Sequence, residues 1–396
     1  MVSALARRLG VDRLDLAEEV VQDALVRALE TWPYRGIPDN PGGWLFRVAL
    51  NRARDLLRRE TVLAAKLDAL AVELDRHDAV DASPYPHLAD DELAMIFACC
   101  HPALPLGARV ALTLKTVGGF AVHEIAAAFL AEPATIAQRL VRAKRQIRDQ
   151  AIVFEIPGPE HVLVRLPSVL DVLYLLFTEG YSAHGGDNLT RADLCDEAVR
   201  LVRLLVAHPA TDRPVVHALL SLMLLHASRL AGRVDASGDV LLLADQDRSR
   251  WDRGLIAEGL THLERSARGD EMTPYHVEAA IAACHAVAAD EGSTDWRYVL
   301  TLYDDLARLK PSPVVELNRA IALAMVEGVM AGIHALERLE ADPALAGYHL
   351  LPAALAALWR RAGASATAAG YYRRALALPC SAPERRFLAR QLDEVA

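Results

Sequence analysis

The chain has 396 residues, 53% hydrophobic, 24% charged and only 6% aromatic, which is too long for one simple core and implies two or three domains. Its net charge of −9, from 43 Lys and Arg against 52 Asp and Glu, excludes a protein that coats nucleic acid indiscriminately but leaves room for a local basic face. The opening MVSALARRLG lacks a long apolar core and no apolar run reads as long enough to span a bilayer, so a cytoplasmic protein with no membrane association is expected.

Alanine and leucine recur at helical spacing along the chain, which predicts an all-α fold. The five cysteines, Cys99, Cys100, Cys195, Cys284 and Cys380, are scattered through apolar helical stretches and suit reduced thiols. CCHP at Cys99 to Pro102 has no further ligand at metal spacing and reads as a buried helix end.

The first predicted block runs over residues 1–62. DLAEEVVQDALVRALETW places Asp15 and Glu18 at capping-box spacing and an apolar stripe at Val21, Leu25, Ala28 and Trp32, with an acidic outer face. After the turn GIPDNPGG, WLFRVALNRARDLLRRE turns Leu45, Val48, Ala49, Ala53 and Leu56 inward, while Arg47, Asn51, Arg54 and Arg58 form one polar row. Such a row is either a solvated face or a surface for a phosphate backbone with an exposed base.

Residues 63–89 read as a linker. The acidic, proline-bearing stretch from Val72 to Glu92 has no periodicity.

The second block spans residues 90–152. His123-Glu124 would open a zinc-protease helix only with a histidine four residues after the first, and position 127 is Ala127. Instead Ile125, Ala126 and Phe129 mark a short helix, LAEP a break, and Pro133 the first turn of a second helix. In that helix Ile136, Leu140, Ala143 and Ile147 form one buried face, opposite Thr135, Gln138, Arg139, Arg142 and Arg145. This is helix-turn-helix patterning, in which residues near the start of the second helix reach base edges; Lys144 and Arg148 suit phosphates. A solvated basic helix is the alternative.

From residue 160 to 396 the chain reads as a helical extension. Gly328 and Gly363, 35 residues apart, each join two helices, close to the tetratricopeptide period of about 34. Gly363, Ala368, Tyr372, Ala375 and Pro379 fall near that repeat's small, aromatic and terminating positions, so TPR-like hairpins are expected near 300–380. DQDRSRWDR, residues 245 to 253, is the densest polar cluster; its alternating signs suit a self-satisfied salt-bridge network, with a metal or phosphate site as the alternative. HGGD at 184–187 reads as a turn. No P-loop, GxSxG or dinucleotide fingerprint occurs, so no enzyme activity, cofactor or metal is expected.

Together, DLAEEVVQDALVRALETW, NPGGWLFRVALNRARDLLRRE and LPLGARVALTLKTVGGFAVHEIAAAFLAEPATIAQRLVRAKRQIRD resemble regions 2 and 4 of bacterial RNA polymerase sigma factors of the extracytoplasmic-function (ECF) type. IFACCHPALPLGARVALTL, LADQDRSRWDRGLIAEGL and PSPVVELNRAIALAM are similar to a subgroup with a long C-terminal tetratricopeptide-like extension. The resemblance implies promoter-directed transcription initiation, with core RNA polymerase (the clamp helices of its largest subunit, and its flap region) and promoter DNA as partners. Residue by residue, it implies that Glu18, Glu19, Gln22 and Asp23 face polymerase. Asn51 would hold a flipped base at the −10 element, with Arg47, Arg54 and Arg58 on its backbone and the loop Tyr34 to Gly43 as pocket. Thr135, Gln138, Arg139 and Arg142 would read the −35 element. The extension would regulate the factor and meet an unknown protein or small-molecule partner. Two departures stand out: the chain starts shortly before the region 2 signature, shortening its first helix, and Ala121 replaces a capping serine or threonine. A stand-alone helix-turn-helix regulator with a TPR-type sensor is the alternative function.

Overall fold

The computed structural model describes residues 1–10, 13–63, 88–129, 131–152, 159–181, 190–235 and 238–396. The fold is all-α; among the described residues the one β pairing is an isolated bridge between Val234 and Val240. HGGD, and the predicted linker as far as residue 87, lie outside the described residues, whereas Leu88 to Glu92 are already helical. Two compact units are present: Met1–Ala126 with Ala131–Val172, and Leu173–Ala396 with Ala127–Leu130.

The first unit opens with α1 (Val2–Leu9), a helix of only 8 residues that still buries Leu5, Ala6 and Leu9. Next come α2 (Leu14–Arg35) and α3 (Pro41–Leu63), which pack on each other. The buried positions of α2 are Leu14, Ala17, Val20, Val21, Ala24 and Ala28. Leu25, expected inside, is 41% exposed, because the buried stripe is centred on the small residues that let helices approach closely. On α3 the buried set is Ala49, Leu50, Ala53 and Leu57; Leu45, Val48 and Leu56 are only half-buried. Asn40 caps α3 by accepting the Gly43 N–H at 2.8 Å. A Cβ on Gly43 would lie 2.8 Å from the Asn40 amide nitrogen, so the cap requires glycine there.

The same unit contains α4 (Leu88–Cys99), α5 (Leu106–Thr116), α6 (Val122–Ala128) as far as Ala126, α7 (Pro133–Asp149) and the first part of α8 (Pro159–Tyr181). Cys99 and Cys100 are buried at the end of α4, and burial pushes the Cys100 thiol up to about 12, the Thr113 hydroxyl at 3.4 Å only partly offsetting it. Arg109 fastens α5 by donating to the Leu104 carbonyl at 2.6 Å and the Ser168 hydroxyl at 2.7 Å.

The second unit continues from α8 through α9 (Ala192–Ala207), α10 (Pro214–Ala227), α11 (Arg253–Ser266), α12 (Pro274–Val287) and α13 (Trp296–Leu309). It ends with α14 (Pro313–Glu327), α15 (Val329–Leu339), α16 (Leu350–Arg361), α17 (Ser365–Leu376) and α18 (Ala382–Asp393). Its centre is α10, every residue of which from Val216 to Leu225 is buried, against α9, α11 and α12. Contrary to the expectation from sequence, Pro214–Gly232 is long and apolar enough to cross a membrane, with a mean hydropathy of 1.4; 67% of it is buried within the protein, as befits a core helix.

Gly328 at the end of α14 has φ 99°, and Gly363 between α16 and α17 has φ 79°, a backbone region that favours glycine. Both therefore turn one helix into the next, at equivalent points of two helix pairs. At Gly332 a Cβ would meet the Ala324 Cβ at 2.4 Å, so α14 and α15 cross in close contact. Ala368, Tyr372 and Ala375 are buried together with Ala356 and Leu388. Ser381 and Glu384 form a reciprocal capping box at the start of α18.

Candidate functional site

In the first unit α7 presents the face that its spacing predicted. Ile136, Leu140, Ala143 and Ile147 are its buried residues, and Thr135, Gln138, Arg142, Arg145 and Arg148 are exposed on the other side. Pro133 occupies the first turn after Glu132. Before it, the Glu124 carboxylate accepts the Ala121 N–H at 2.6 Å, which supplies half of a capping box despite the missing hydroxyl at Ala121. Glu124 thus has a local structural task.

Arg139 and Lys144 differ from the rest of the row. Arg139 is half-buried across the start of α5, where a Cβ on Gly107 would lie 3.1 Å from its Nη1. Lys144, with a side chain 13% exposed, donates to Asp15 at 2.6 Å and to Glu18 at 2.8 Å. Burial alone would lower its ammonium; Glu18 and Asp15 outweigh that and hold it above the ordinary lysine value. The Thr116 hydroxyl adds a bond to Glu18 at 3.4 Å. Asp15 is therefore not an N-cap paired with Glu18: Arg13 precedes the helix, and both carboxylates are turned to Lys144.

On α2, Glu19 and Gln22 are exposed, while Asp23 accepts from Arg52 Nε at 2.7 Å. Arg52 was not singled out from the sequence because it lies beside the arginine row rather than in it. Leu25, which the spacing placed inside, and Val26 and Leu29, which it did not single out, are 41%, 54% and 77% exposed on α2.

The polar row on α3 divides as well. Arg47, Asn51 and Arg58 are exposed and Arg54 is half-buried. The loop expected from Tyr34 to Gly43 is shorter, because Tyr34 and Arg35 end α2 and Pro41 begins α3. The rings of Trp32 and Trp44 meet at 5.6 Å across this turn, while Tyr34 and Ile37 are 89% and 70% exposed. A guanidinium row beside exposed aromatic and apolar side chains can hold a phosphate backbone and stack a base.

Residues 1–62 match the model of Sigma-70 region 2, and residues 165–267 match that of a family of unknown function (DUF6596). The uncharacterized protein R00370 of Rhizobium meliloti (strain 1021) is 40% identical over 405 residues, covering 100% of this chain and 95% of its own. The ECF RNA polymerase sigma factor SigE of Mycolicibacterium smegmatis is 30% identical over 152 residues, 37% of this chain and 56% of its own. The ECF RNA polymerase sigma-E factor of Escherichia coli (strain K12) is 28% identical over 139 residues, 33% of this chain and 70% of its own. No solved structure matches the chain. The chain therefore belongs to the same family as its Rhizobium relative, and its first 62 residues are similar to Sigma-70 region 2, as its first third is to ECF RNA polymerase sigma factors.

Proposed function

We propose that the protein is a cytoplasmic sigma factor that brings core RNA polymerase to specific promoters. The Sigma-70 region 2 match over residues 1–62 is the observation that carries this reading. In it, Glu19, Gln22 and the exposed Leu25, Val26 and Leu29 dock on the clamp helices of the largest polymerase subunit. Asn51 holds an extruded base of the −10 element, with Arg47, Arg54 and Arg58 on the backbone; the lost stacking costs a few kcal/mol, which polymerase contacts offset. Residues 90–152 act as region 4, a helix-turn-helix whose Thr135, Gln138, Arg139 and Arg142 read the −35 element, with Arg145 and Arg148 on phosphates and the polymerase flap as neighbour. The exposure of most of these side chains supports the assignment.

Two further steps belong to the same reading. Lys144 reaches a phosphate, and Glu18 reaches polymerase, only after the Lys144 contact with Asp15 and Glu18 opens. The helical extension, which we read as TPR-like over 300–380, regulates that exposure through a partner of its own. Run-off transcription with core polymerase on the promoters of the host's genes tests the proposal. Initiation that needs the protein and is lost in Asn51→Ala and Gln138→Ala supports it. Tight binding of the protein alone to duplex promoter DNA, without initiation, identifies a stand-alone regulator instead.

A further inference from the structure

The polar cluster DQDRSRWDR in the second unit is not the salt-bridge network its alternating charges suggested. Asp247 accepts the Ser249 N–H at 2.9 Å, and Asp252 caps α11 by accepting the Leu255 N–H at 3.0 Å. The unusual polar contact of α11 lies further along the helix, at His262. Its Nδ1 is 2.7 Å from Nδ1 of His217 on α10, and the two rings stack with centroids 4.9 Å apart. Both imidazoles are buried, while His217 Nε2 lies 2.8 Å from Oδ1 of Asp212, whose side chain is 51% exposed. Asp212 therefore joins a buried histidine pair to solvent. About one turn from the pair the two helices touch closely. Ser221 Oγ donates to the Gly259 carbonyl at 2.7 Å, and a Cβ on Gly259 would lie 2.9 Å from Leu225 Cγ.

Two Nδ1 atoms at this separation hold one proton between them, because a neutral imidazole offers one donor and one acceptor and an imidazolium offers two donors. With both rings neutral, His217 donates from Nε2 to Asp212 and accepts the His262 Nδ1–H. A first added proton enters at His262 Nε2 while the shared proton moves onto His217. The His217 imidazolium then donates to Asp212 and to His262, and the carboxylate balances its charge. A second added proton has no such place. It turns two Nδ1–H groups and two positive charges on each other in a buried contact, which holds only if the rings part.

The neighbouring charges do not supply a second counter-ion. Glu258 on α11 favours the His262 imidazolium, but it is paired with Arg203 of α9 at 2.8 Å, and Arg203 and Arg265 both oppose it. On the turn before α10, His208 accepts the Ala210 N–H at 3.2 Å. On α12, His276 is bonded to Thr273, Glu278 to Tyr174 and Lys310, and His285 meets the Trp296 ring. Burial first, and then His217, hold His262 below the ordinary histidine value of 6.5. The stability it contributes is therefore complete above that value and is lost as pH falls below it. We propose that Asp212, His217 and His262 form a proton-sensitive latch on the α10–α11 crossing, closed while the imidazoles share a proton and opened when each carries its own. The latch is independent of how the first unit engages DNA.

Hydrogen exchange of the full chain from neutral pH to about pH 5, corrected for intrinsic rates, tests it over the first half of α10 and over α11. One proton taken up on opening lowers protection there by up to about tenfold per pH unit. His262→Gln keeps a donor for His217 Nδ1 and removes the second proton, and should flatten that slope. Asp212→Asn removes the carboxylate that balances the first proton. Opening then takes up two, and the slope should steepen toward about a hundredfold per pH unit and begin at higher pH. The ¹⁵N imidazole spectrum of the wild-type chain gives a second reading, which decides alone if a variant does not fold: one imidazolium of the two is expected while the crossing stays protected. Two imidazolium signals in the protected state would overturn the proposal, and so would a slope left unchanged by His262→Gln.

Discussion

The two units use arginine in opposite ways. In the first, Arg47, Arg58, Arg142, Arg145 and Arg148 stand exposed on α3 and α7, with their apolar partners buried behind them. In the second, Arg248 is buried and Arg229 and Arg233 are largely covered, bonded to carbonyls, a tyrosine hydroxyl and aromatic rings. An exposed row keeps its hydration, is screened by salt and suits a long polyanion. A buried cluster has already lost its hydration, so a substitution there is felt by the fold.

The largest expected difference is in acid. Burial, with Arg229 and Arg233 adding to it, lowers His226 to about 3, and burial with Arg229 and Arg248 lowers His285 to about 4, from 6.5. Because the folded values lie below the unfolded one, the stability these imidazoles contribute is complete above that unfolded value. It is lost as pH falls toward the folded values, by up to about 1.4 kcal/mol per pH unit for each histidine. Hydrogen exchange followed from neutral pH downward should show the helix ends around His226 and His285 losing protection. His285→Gln should remove a large part of that slope; an unchanged slope would place the acid sensitivity elsewhere. A smaller effect is expected of Arg248→Gln at neutral pH, about 2–4 kcal/mol by urea unfolding, from donors lost to two buried carbonyls.

How far this contrast was legible in the sequence differs between the two units. The periodicity of α7 identified Ile136, Leu140, Ala143 and Ile147 as buried, because one helix with one apolar face encodes its burial locally. Gly363 likewise occupies a turn, and Ala368, Tyr372 and Ala375 a core, as small and aromatic residues at helical spacing lead one to expect. Long-range pairings left no such mark. Nothing local says that Lys144 turns to Asp15 and Glu18, or that Asp23 takes Arg52. In DQDRSRWDR charge alternation misled, since an aspartate before a helix caps backbone N–H groups more readily than it pairs with a neighbouring arginine. Leu25 was misplaced because on α2 alanines rather than leucines mark the packed face.

Lys144 lies between the two extremes, on α7 with the exposed arginines yet with a side chain only 13% exposed and two carboxylates on it. Lys144→Ala should cost about 1–3 kcal/mol, more than a surface pair and less than a fully buried one. A double-mutant cycle with Glu18→Gln measures the pair directly, and a coupling below about 0.3 kcal/mol would show the contact to be loose in solution.

The smallest effect on stability is expected where the effect on function should be largest. Arg142 is exposed on α7 and no carboxylate is paired with it among the described residues. Arg142→Gln should therefore change the unfolding free energy by no more than about 0.5 kcal/mol. If Arg142 lies against a phosphate, the same substitution should weaken promoter binding on all sequences alike and lower the salt dependence of binding by about one counterion. If it reads a base edge, the loss should fall on one position of the promoter and the salt slope should barely move. Binding measured at several salt concentrations on a promoter and its single-base variants separates the two. A substitution that altered stability but neither kind of binding would mean that the surface row of the first unit behaves like the buried one of the second, and the division between them would fail.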